Sequence, residues 1–120
     1  MEKSKFERIT DTHNSDHYIW GEKCDGWHFV QTENLSVIRE KMPKGTQEKK
    51  HFHRSAFQFF YILSGEATFE IDEKLYVIRE NQCITIKPEE RHRIINKTDS
   101  ELNFIVISNP PSHGDRIDIE

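Results

Sequence analysis

The sequence predicts an all-β protein with a single domain. Short runs of apolar, β-branched and aromatic residues recur along the chain, with turn-forming residues between them at intervals of roughly eight to twelve residues. No segment shows helical periodicity of useful length, and no internal repeat is visible. A chain of 120 residues is long enough for one compact core but not for two. Together these observations favour a β-sandwich or a β-barrel.

The predicted strands follow an irregular segment at the start of the chain. Residues 1–26 are polar and rich in turn formers, and we expect an irregular arm, with room for a short strand or helix, that Tyr18, Ile19 and Trp20 fasten to the domain. The alternative role for these aromatic side chains is contact with a substrate. The domain itself is predicted to span residues 27–108. Its strands are expected at residues 27–32, 35–42, 49–53, 57–63, 67–72, 74–79, 83–86, 92–96 and 102–108.

A tail is predicted at residues 109–120. Two consecutive prolines interrupt the β pattern there, because proline cannot donate a backbone hydrogen bond. Arg116 is expected to dock the tail by pairing with Asp115 or Asp118, an interaction that contributes little if it is exposed. His113 is expected to be an exposed residue and not a ligand.

Charge and composition argue against several classes of function. The net charge is −4 and no basic stripe is present, so nucleic-acid binding has no electrostatic support. No apolar run reaches the roughly 18–20 residues that cross a bilayer, and the first residues lack an apolar signal-type stretch. Cys24 and Cys83 form no C-x-x-C pair, which argues against a disulfide scaffold and a zinc knuckle. The sequence therefore predicts a cytoplasmic protein that binds neither nucleic acid nor membranes.

Three histidines and one glutamine are the candidate metal ligands. His51 and His53 lie two residues apart, so in a strand their imidazoles share one face. Gln58 has the opposite parity, and it can join them only if the chain bulges near residues 54–56. His92 begins a later strand. Nitrogen donors with an amide oxygen suit one divalent transition metal, Zn, Fe, Ni, Mn, Co or Cu, better than Mg or Ca.

The segment from Gly45 to Gly65 resembles the first of two motifs that characterise the cupins. In that motif a glycine is followed by His-x-His, then by a glutamate and then by a second glycine. At the same spacing this sequence has Gly45, His51, His53, Gln58 and Gly65. The family's glutamate is replaced by Gln58, which is neutral and cannot act as a base.

A second segment, residues 81–96, resembles the other cupin motif. The family pattern is a glycine, then Pro-x-Gly, then a histidine and an asparagine. This sequence places Asn81 at the first glycine, a position that asparagine tolerates in the left-handed conformation. The remaining positions hold Lys87, Pro88, Glu89, His92 and Asn96. The resemblance implies a cupin-type double-stranded β-helix, or jelly-roll barrel, that binds one divalent metal.

Strand parity with Gln58 and His92 predicts an apolar pocket inside this barrel, suited to a small organic molecule. The residues expected to line it are Phe60, Ile62, Ile94, Phe104 and Val106. No carboxylate acid or base is apparent in the pocket. That apparent absence favours O₂ chemistry or plain ligand binding over reactions that need such a group.

Several functions remain open at this point. The cupin resemblance implies a metal-dependent enzyme, dioxygenase-like or isomerase-like, that acts on a small organic molecule. The alternative is a non-catalytic module that senses or carries a small molecule. A metal-free sugar epimerase would need a tyrosine acid facing a histidine base, and no such tyrosine is identified. The apolar outer positions Phe57, Phe59 and Tyr61 are consistent with a homodimer.

Overall fold

The structure is a computed structural model that describes residues 8–119. These residues form β-strands and no helix, as the sequence predicts. No helix in this part of the chain is therefore long and apolar enough to cross a membrane. The strands are β1 (Asp16–Trp20), β2 (Cys24–Gln31), β3 (Ser36–Met42), β4 (His51–His53), β5 (Phe57–Ser64), β6 (Glu66–Ile71), β7 (Lys74–Arg79), β8 (Cys83–Ile86), β9 (His92–Ile95), β10 (Leu102–Asn109) and β11 (Arg116–Asp118).

Two antiparallel sheets enclose the core. One sheet has the strand order β1-β2-β3-β10-β5-β8, and the other has the order β11-β4-β9-β6-β7. Apolar side chains from both sheets meet between them, because alternate residues of each strand point inward. Phe60 of β5 and Phe69 of β6, for example, have ring centroids 5.0 Å apart. The prediction of an all-β, two-layer architecture is confirmed.

Strand structure begins earlier and ends later than the sequence predicts. Strand β1 and the start of β2 fall within residues 1–26, where an irregular arm is expected, and β11 falls within the tail. Both β1 and β11 are edge strands, and neither contains a fully buried residue; β11 has only three residues, and in β1 half-buried and exposed positions alternate. Such strands form by backbone pairing with an open sheet edge, and they carry little of the apolar alternation that makes a strand recognisable. Residues 1–7 and 120 of the predicted arm and tail lie outside the described residues.

The turns use left-handed backbone conformations where the two motifs have glycines. Gly65 has φ +92°, and Asn81 and Glu89 have φ values of 69° and 72°. Asn81 therefore adopts the conformation that the sequence analysis expects of it. Glu89 adopts it as well, although a glutamate pays a steric cost there that glycine does not.

Gly65 is expected to be among the least replaceable turn residues. A Cβ added to it would lie 2.6 Å from the backbone oxygen of Glu101, whereas a Cβ on Gly45, also left-handed at φ +73°, meets nothing within 4 Å. Gly45→Ala should lower the free energy of unfolding by about 1 kcal/mol, for backbone strain alone. Gly65→Ala should lower it by a further ~1–3 kcal/mol, because backbone atoms must also move. Denaturant titration of both variants measures the difference, and equal losses would contradict it.

Candidate functional site

The three predicted histidines converge in the interior of the protein. His51 and His53 lie on β4, and His92 on the neighbouring strand β9 pairs in register with His51. All three are buried, with relative exposures of 2%, 5% and 2%. One ring nitrogen from each lies within 4.8 Å of the others, and the rings of His51 and His92 are 4.3 Å apart between centroids. The three side chains could therefore hold one metal ion.

Backbone carbonyls orient two of these rings. The Nδ1–H group of His51 donates to the Lys49 carbonyl, and that of His92 donates to the Glu90 carbonyl, each at 2.9 Å. A carbonyl oxygen can only accept, so Nδ1 carries the proton and the Nε2 lone pair is left free. This is the arrangement in which a second hydrogen bond fixes the tautomer of a metal-binding histidine.

The imidazoles are held in the neutral form that a metal requires. Burial, reinforced by the Arg116 charge, lowers the pKa of His51 to about 4. Burial and the neighbouring His51 likewise lower the pKa of His53 to about 4. The pKa of His92 is also lowered, first by burial and then by His51. At neutral pH none of the three needs to lose a proton before it binds an ion.

Gln58 lines the same cavity as His51 and His53, from the opposite sheet. The expected bulge near residues 54–56 is instead a bend that carries the chain from β4 to β5, so strand parity does not relate Gln58 to His53. The Gln58 amide nitrogen donates to Ser108 Oγ at 3.1 Å. Its Oε1 atom is buried without a hydrogen-bond partner.

The donor set fits a transition metal. Besides Gln58 Oε1, the Nδ1 atom of His53 is buried and has no hydrogen-bond partner among residues 8–119. Buried polar atoms without partners are costly, and a bound ion or its water ligands would satisfy them. Neutral nitrogen and amide oxygen donors are the ligands that such ions accept.

A cavity of about 280 Å³ lies beside the histidines. Its volume is just below the ~300–1,000 Å³ typical of ligand pockets, so it suits a small molecule. Of the predicted pocket residues, Phe60 and Val106 line it, while Ile62, Ile94 and Phe104 are packed in the core. Parity identifies the inward face of a strand but not the end of the barrel at which a cavity opens.

Two carboxylates line the cavity, contrary to the expectation that it has none. Glu40 and Glu48 both belong to its wall. Glu40 shares strand parity with the buried residues Ile38 and Met42, so an acidic residue on the inward face of β3 was a readable signal in the sequence. Glu48 Oε2 lies 3.9 Å from His51 Nε2 and 3.4 Å from Arg116 Nη1.

The segments predicted as arm and tail supply much of the remaining wall. Tyr18 and Trp20 face the cavity from β1, and His113 and Arg116 face it from the C-terminal segment. His113 is exposed, as expected, but its ring also lies against Tyr18 and His28, with centroids 5.9 and 5.1 Å away. Tyr18 therefore stands beside one histidine of the cavity wall, His113. For Tyr18 and Trp20 this position is compatible with the alternative role of substrate contact, whereas no motif in the sequence pointed to His113 or Arg116.

Asp115 anchors the C-terminal segment to the bend between β4 and β5. Its carboxylate accepts backbone N–H groups from Arg54, Ser55 and Ala56 at 3.2, 3.0 and 2.9 Å. Burial opposes the charge, but these three donors outweigh it, and the pKa of Asp115 falls below its usual value of 3.8. The anchor holds in place both the bend after His53 and the residues around Arg116.

Replacing Asp115 with asparagine should lower the free energy of unfolding at pH 7, because the amide NH₂ cannot accept these bonds. A lowered pKa contributes stability above the unfolded value and loses it as pH falls through the folded value. The difference between the two proteins should therefore shrink below about pH 3.8. Denaturant titrations between pH 7 and pH 3 measure it, and a difference that is constant across this range would contradict the assignment.

An antiparallel β shell with three histidines meeting inside it defines a class of small proteins with an internal, metal-compatible site. The chain matches the Cupin domain family over residues 38–108, more than half of its length. It therefore belongs to the cupin family, and the resemblance seen in the sequence is confirmed.

The similarity to individual proteins is low. The oxalate-binding protein of Thermotoga maritima is 30% identical over 69 residues, which are 58% of this chain and 57% of that protein. An uncharacterized protein of Methanocaldococcus jannaschii is 29% identical over 81 residues, 67% of this chain and 65% of that one. The chain thus spans less than two thirds of the length of these relatives. A solved RmlC-like cupin from Shewanella frigidimarina has a TM-score of 0.80 at 16% identity, covering 91% of this chain and 96% of that chain, which shows the fold alone.

Proposed function

We propose that this protein is a metal-dependent enzyme acting on a small organic molecule, with one divalent transition metal held by His51, His53, His92 and Gln58. The observation that carries the proposal is the meeting of three buried, neutral imidazoles beside a ligand-sized cavity. Zn, Fe, Ni, Mn, Co and Cu all accept such donors. When bound, the ion supplies a Lewis acid that polarises a carbonyl or carboxylate oxygen of the ligand.

The cavity wall favours one of the two reaction classes that the sequence leaves open. Phe60 and Val106 offer apolar contact, and Arg116, which is paired with Glu48 and Asp118, brings a positive charge to the wall. Glu40 and Glu48 add carboxyl groups that can hold or move a proton. The reason for favouring O₂ chemistry was the apparent lack of such groups. The proposal therefore moves towards isomerase-like reactions, in which a proton changes position, and away from dioxygenase-like ones.

Elemental analysis of protein purified without added metal is the first test, and about one equivalent of a transition metal is expected. The metal-loaded and chelator-treated proteins are then incubated with small carboxylic acids, hydroxyketones and sugars, while products and O₂ uptake are followed. Turnover that depends on the metal supports the proposal. A protein that neither contains nor takes up a transition metal contradicts it.

The alternative is a non-catalytic module that binds a small molecule. It is favoured by one observation, the similarity to a Thermotoga maritima protein described as oxalate-binding. Calorimetric titration with oxalate, followed by chromatography of the recovered ligand, separates the two functions. A ligand that binds tightly and is recovered unchanged, with no turnover of any compound tested, favours the module.

Gln58→Glu should alter both metal and anion binding. The wild-type ligands are all neutral, so the ion keeps its full charge and attracts an anion; a glutamate would hold the ion more tightly and repel that anion. We expect at least about tenfold tighter metal binding and weaker oxalate binding, since ligand-shell changes typically act on this scale. Gln82→Glu, a change at an exposed turn residue, is the matched control. No change in either affinity would remove Gln58 from the proposed ligands.

The cytoplasmic location and the homodimer stay predictions. Phe57 on the outer face of β5 is 44% exposed, so its side chain is accessible to a partner subunit. Sedimentation at micromolar concentration tests the dimer, and a monomer would contradict it.

A further inference from the structure

A tyrosine from β1 crosses one strand of the sheet to reach a glutamate on the next. In the sheet register, Tyr18 is opposite Gly26, and Gly26 is opposite Glu40. The Tyr18 hydroxyl donates to Glu40 Oε2 at 2.6 Å, across the position that a side chain at residue 26 would occupy. A Cβ on Gly26 would overlap the Tyr18 ring. The missing side chain of Gly26 is therefore what allows the pair to form.

The pair faces the same cavity as His51 and His53. Both Tyr18 and Glu40 line it. Glu40 receives one hydrogen bond within the described part of the chain, from Tyr18 to Oε2, so its Oε1 atom remains available to a ligand. Glu48 is less available: its Oε1 accepts from the Ile94 backbone at 3.2 Å, and its Oε2 pairs with Arg116.

We propose that Glu40 is the acid/base of the cavity, taking a proton from a carbon next to a ligand carbonyl and returning it, with Tyr18 and Gly26 as the residues that position it. This inference rests on the proposed function, in which the carbonyl is polarised. In the forward step a Glu40 oxygen forms an O–H bond as the C–H bond breaks, and the C–H electron pair becomes the enolate. If the Glu40 O–H exchanges with solvent D₂O before the return step, a deuteron is delivered to the same carbon, which gives hydrogen exchange. In a ligand with a hydroxyl on that carbon, protonation of the former carbonyl carbon, with the hydroxyl proton moving to the other enediolate oxygen, gives isomerisation. No oxidant or reductant is consumed.

The environment of Glu40 suits this role. Burial raises its pKa to about 8, the Tyr18 hydrogen bond lowers it, and among the other charged groups facing it Glu48 raises it and Arg116 lowers it. A group with a pKa near neutrality is the most effective at both accepting and releasing a proton at physiological pH. Because Tyr18 stabilises the carboxylate, loss of its hydroxyl should raise the pKa of Glu40.

The test follows exchange of carbon-bound hydrogen for deuterium in D₂O, by proton NMR, with pyruvate and dihydroxyacetone as probes and the metal-loaded protein as catalyst. Wild-type protein should exchange the hydrogens next to the carbonyl. Glu40→Gln should slow exchange by about 10²–10⁴-fold, the usual contribution of a general acid or base. Glu33→Gln, at an exposed turn, is the matched control and should exchange at the wild-type rate.

Two further variants separate positioning from a general loss of structure. Tyr18→Phe should retain exchange, but the rise in its exchange rate with pH should occur at a higher pH than in the wild-type protein. Gly26→Ala keeps both functional groups yet should slow exchange, because the ring can no longer lie across residue 26. Thermal unfolding of each variant shows whether it is folded. An unchanged pH profile for a folded Tyr18→Phe protein would overturn the role of Tyr18.

Failure of this inference can be told apart from failure of the proposed function. Exchange by Glu40→Gln at the wild-type rate overturns the inference, and so does a wild-type protein that exchanges neither probe. Metal content, measured on the same samples, decides the proposed function separately. Exchange that depends on Glu40 in a protein without metal would support the inference while contradicting the metal-dependent proposal.

Discussion

Replacing His92 with alanine is expected to lower the affinity for a divalent transition metal by more than about 100-fold. Changing a residue that only orients a ligand costs about 10–100-fold in metal affinity, so removing a ligand should cost more. His92 is 2% exposed, its Nδ1 atom is held by the Glu90 carbonyl, and its ring lies against that of His51. Among the described histidine, cysteine, aspartate and glutamate side chains, the group that could hold an ion consists of His92 with His51 and His53.

The measurement is competition for zinc or cobalt against a chelating dye, with elemental analysis of the purified variant. His13→Ala is the matched control, because His13 is 92% exposed and pairs only loosely with Asp11, at 3.9 Å. Thermal unfolding of the metal-free proteins checks that His92→Ala is folded. Metal binding as tight as that of the His13 variant would remove His92 from the site.

Replacing Phe69 with alanine is expected to lower the free energy of unfolding by about 3–5 kcal/mol, the range found when a buried phenylalanine is truncated. Phe69 is fully buried, and its ring packs edge-on against Phe60, which in turn lies 5.7 Å from Phe104 between ring centroids. These three rings join the two sheets, so truncation of the central contact leaves a void that the strands cannot readily close.

Leu75→Ala is the control for this prediction. Leu75 lies on β7, the strand that pairs with the strand of Phe69, but its side chain is 61% exposed. Its truncation should change the free energy of unfolding by no more than about 0.5 kcal/mol. Guanidinium titrations of both variants give the two values. Similar losses for the Leu75 and Phe69 variants would mean that side-chain packing between the sheets is not the main source of stability.

The fold and the histidine cluster could be predicted because each has a local signal in the sequence. Alternation of apolar and polar residues identifies a strand and its inward face, as at Ala67, Phe69 and Ile71. The spacing of His51 and His53 places both on one face, and the second motif brings in His92. All three lie together in the structure.

The path of the chain between sheets had no such signal. Parity within one strand placed Gln58 opposite the histidines, whereas after the bend at residues 54–56 it lines the same cavity as His51 and His53, from the other sheet. For the same reason parity could not distinguish Phe60, which lines the cavity, from Ile62, which is buried in the core. Which end of the barrel opens depends on contacts between residues that are distant in sequence.

Glu40 was missed for another reason. Its position in the strand predicts that it points inward. An acidic side chain is rarely found on an inward face, however, unless a hydrogen-bond partner or an opposite charge satisfies it. That partner, Tyr18, lies 22 positions away on an edge strand that the sequence did not reveal. Recognising the carboxylate in the cavity required knowing the pairing of β1, β2 and β3.

The proposed metal ligands and part of the cavity wall come from different parts of the chain. The stretch shared with the family, residues 38–108, contains all four proposed metal ligands. Tyr18, Trp20, His113 and Arg116, which face the ligand space, lie outside it. Under the proposed function, substitutions in the flanking segments would change which ligand the cavity accepts without altering the proposed metal ligands. Swapping these flanks between cupins would be a rational route to altered selectivity.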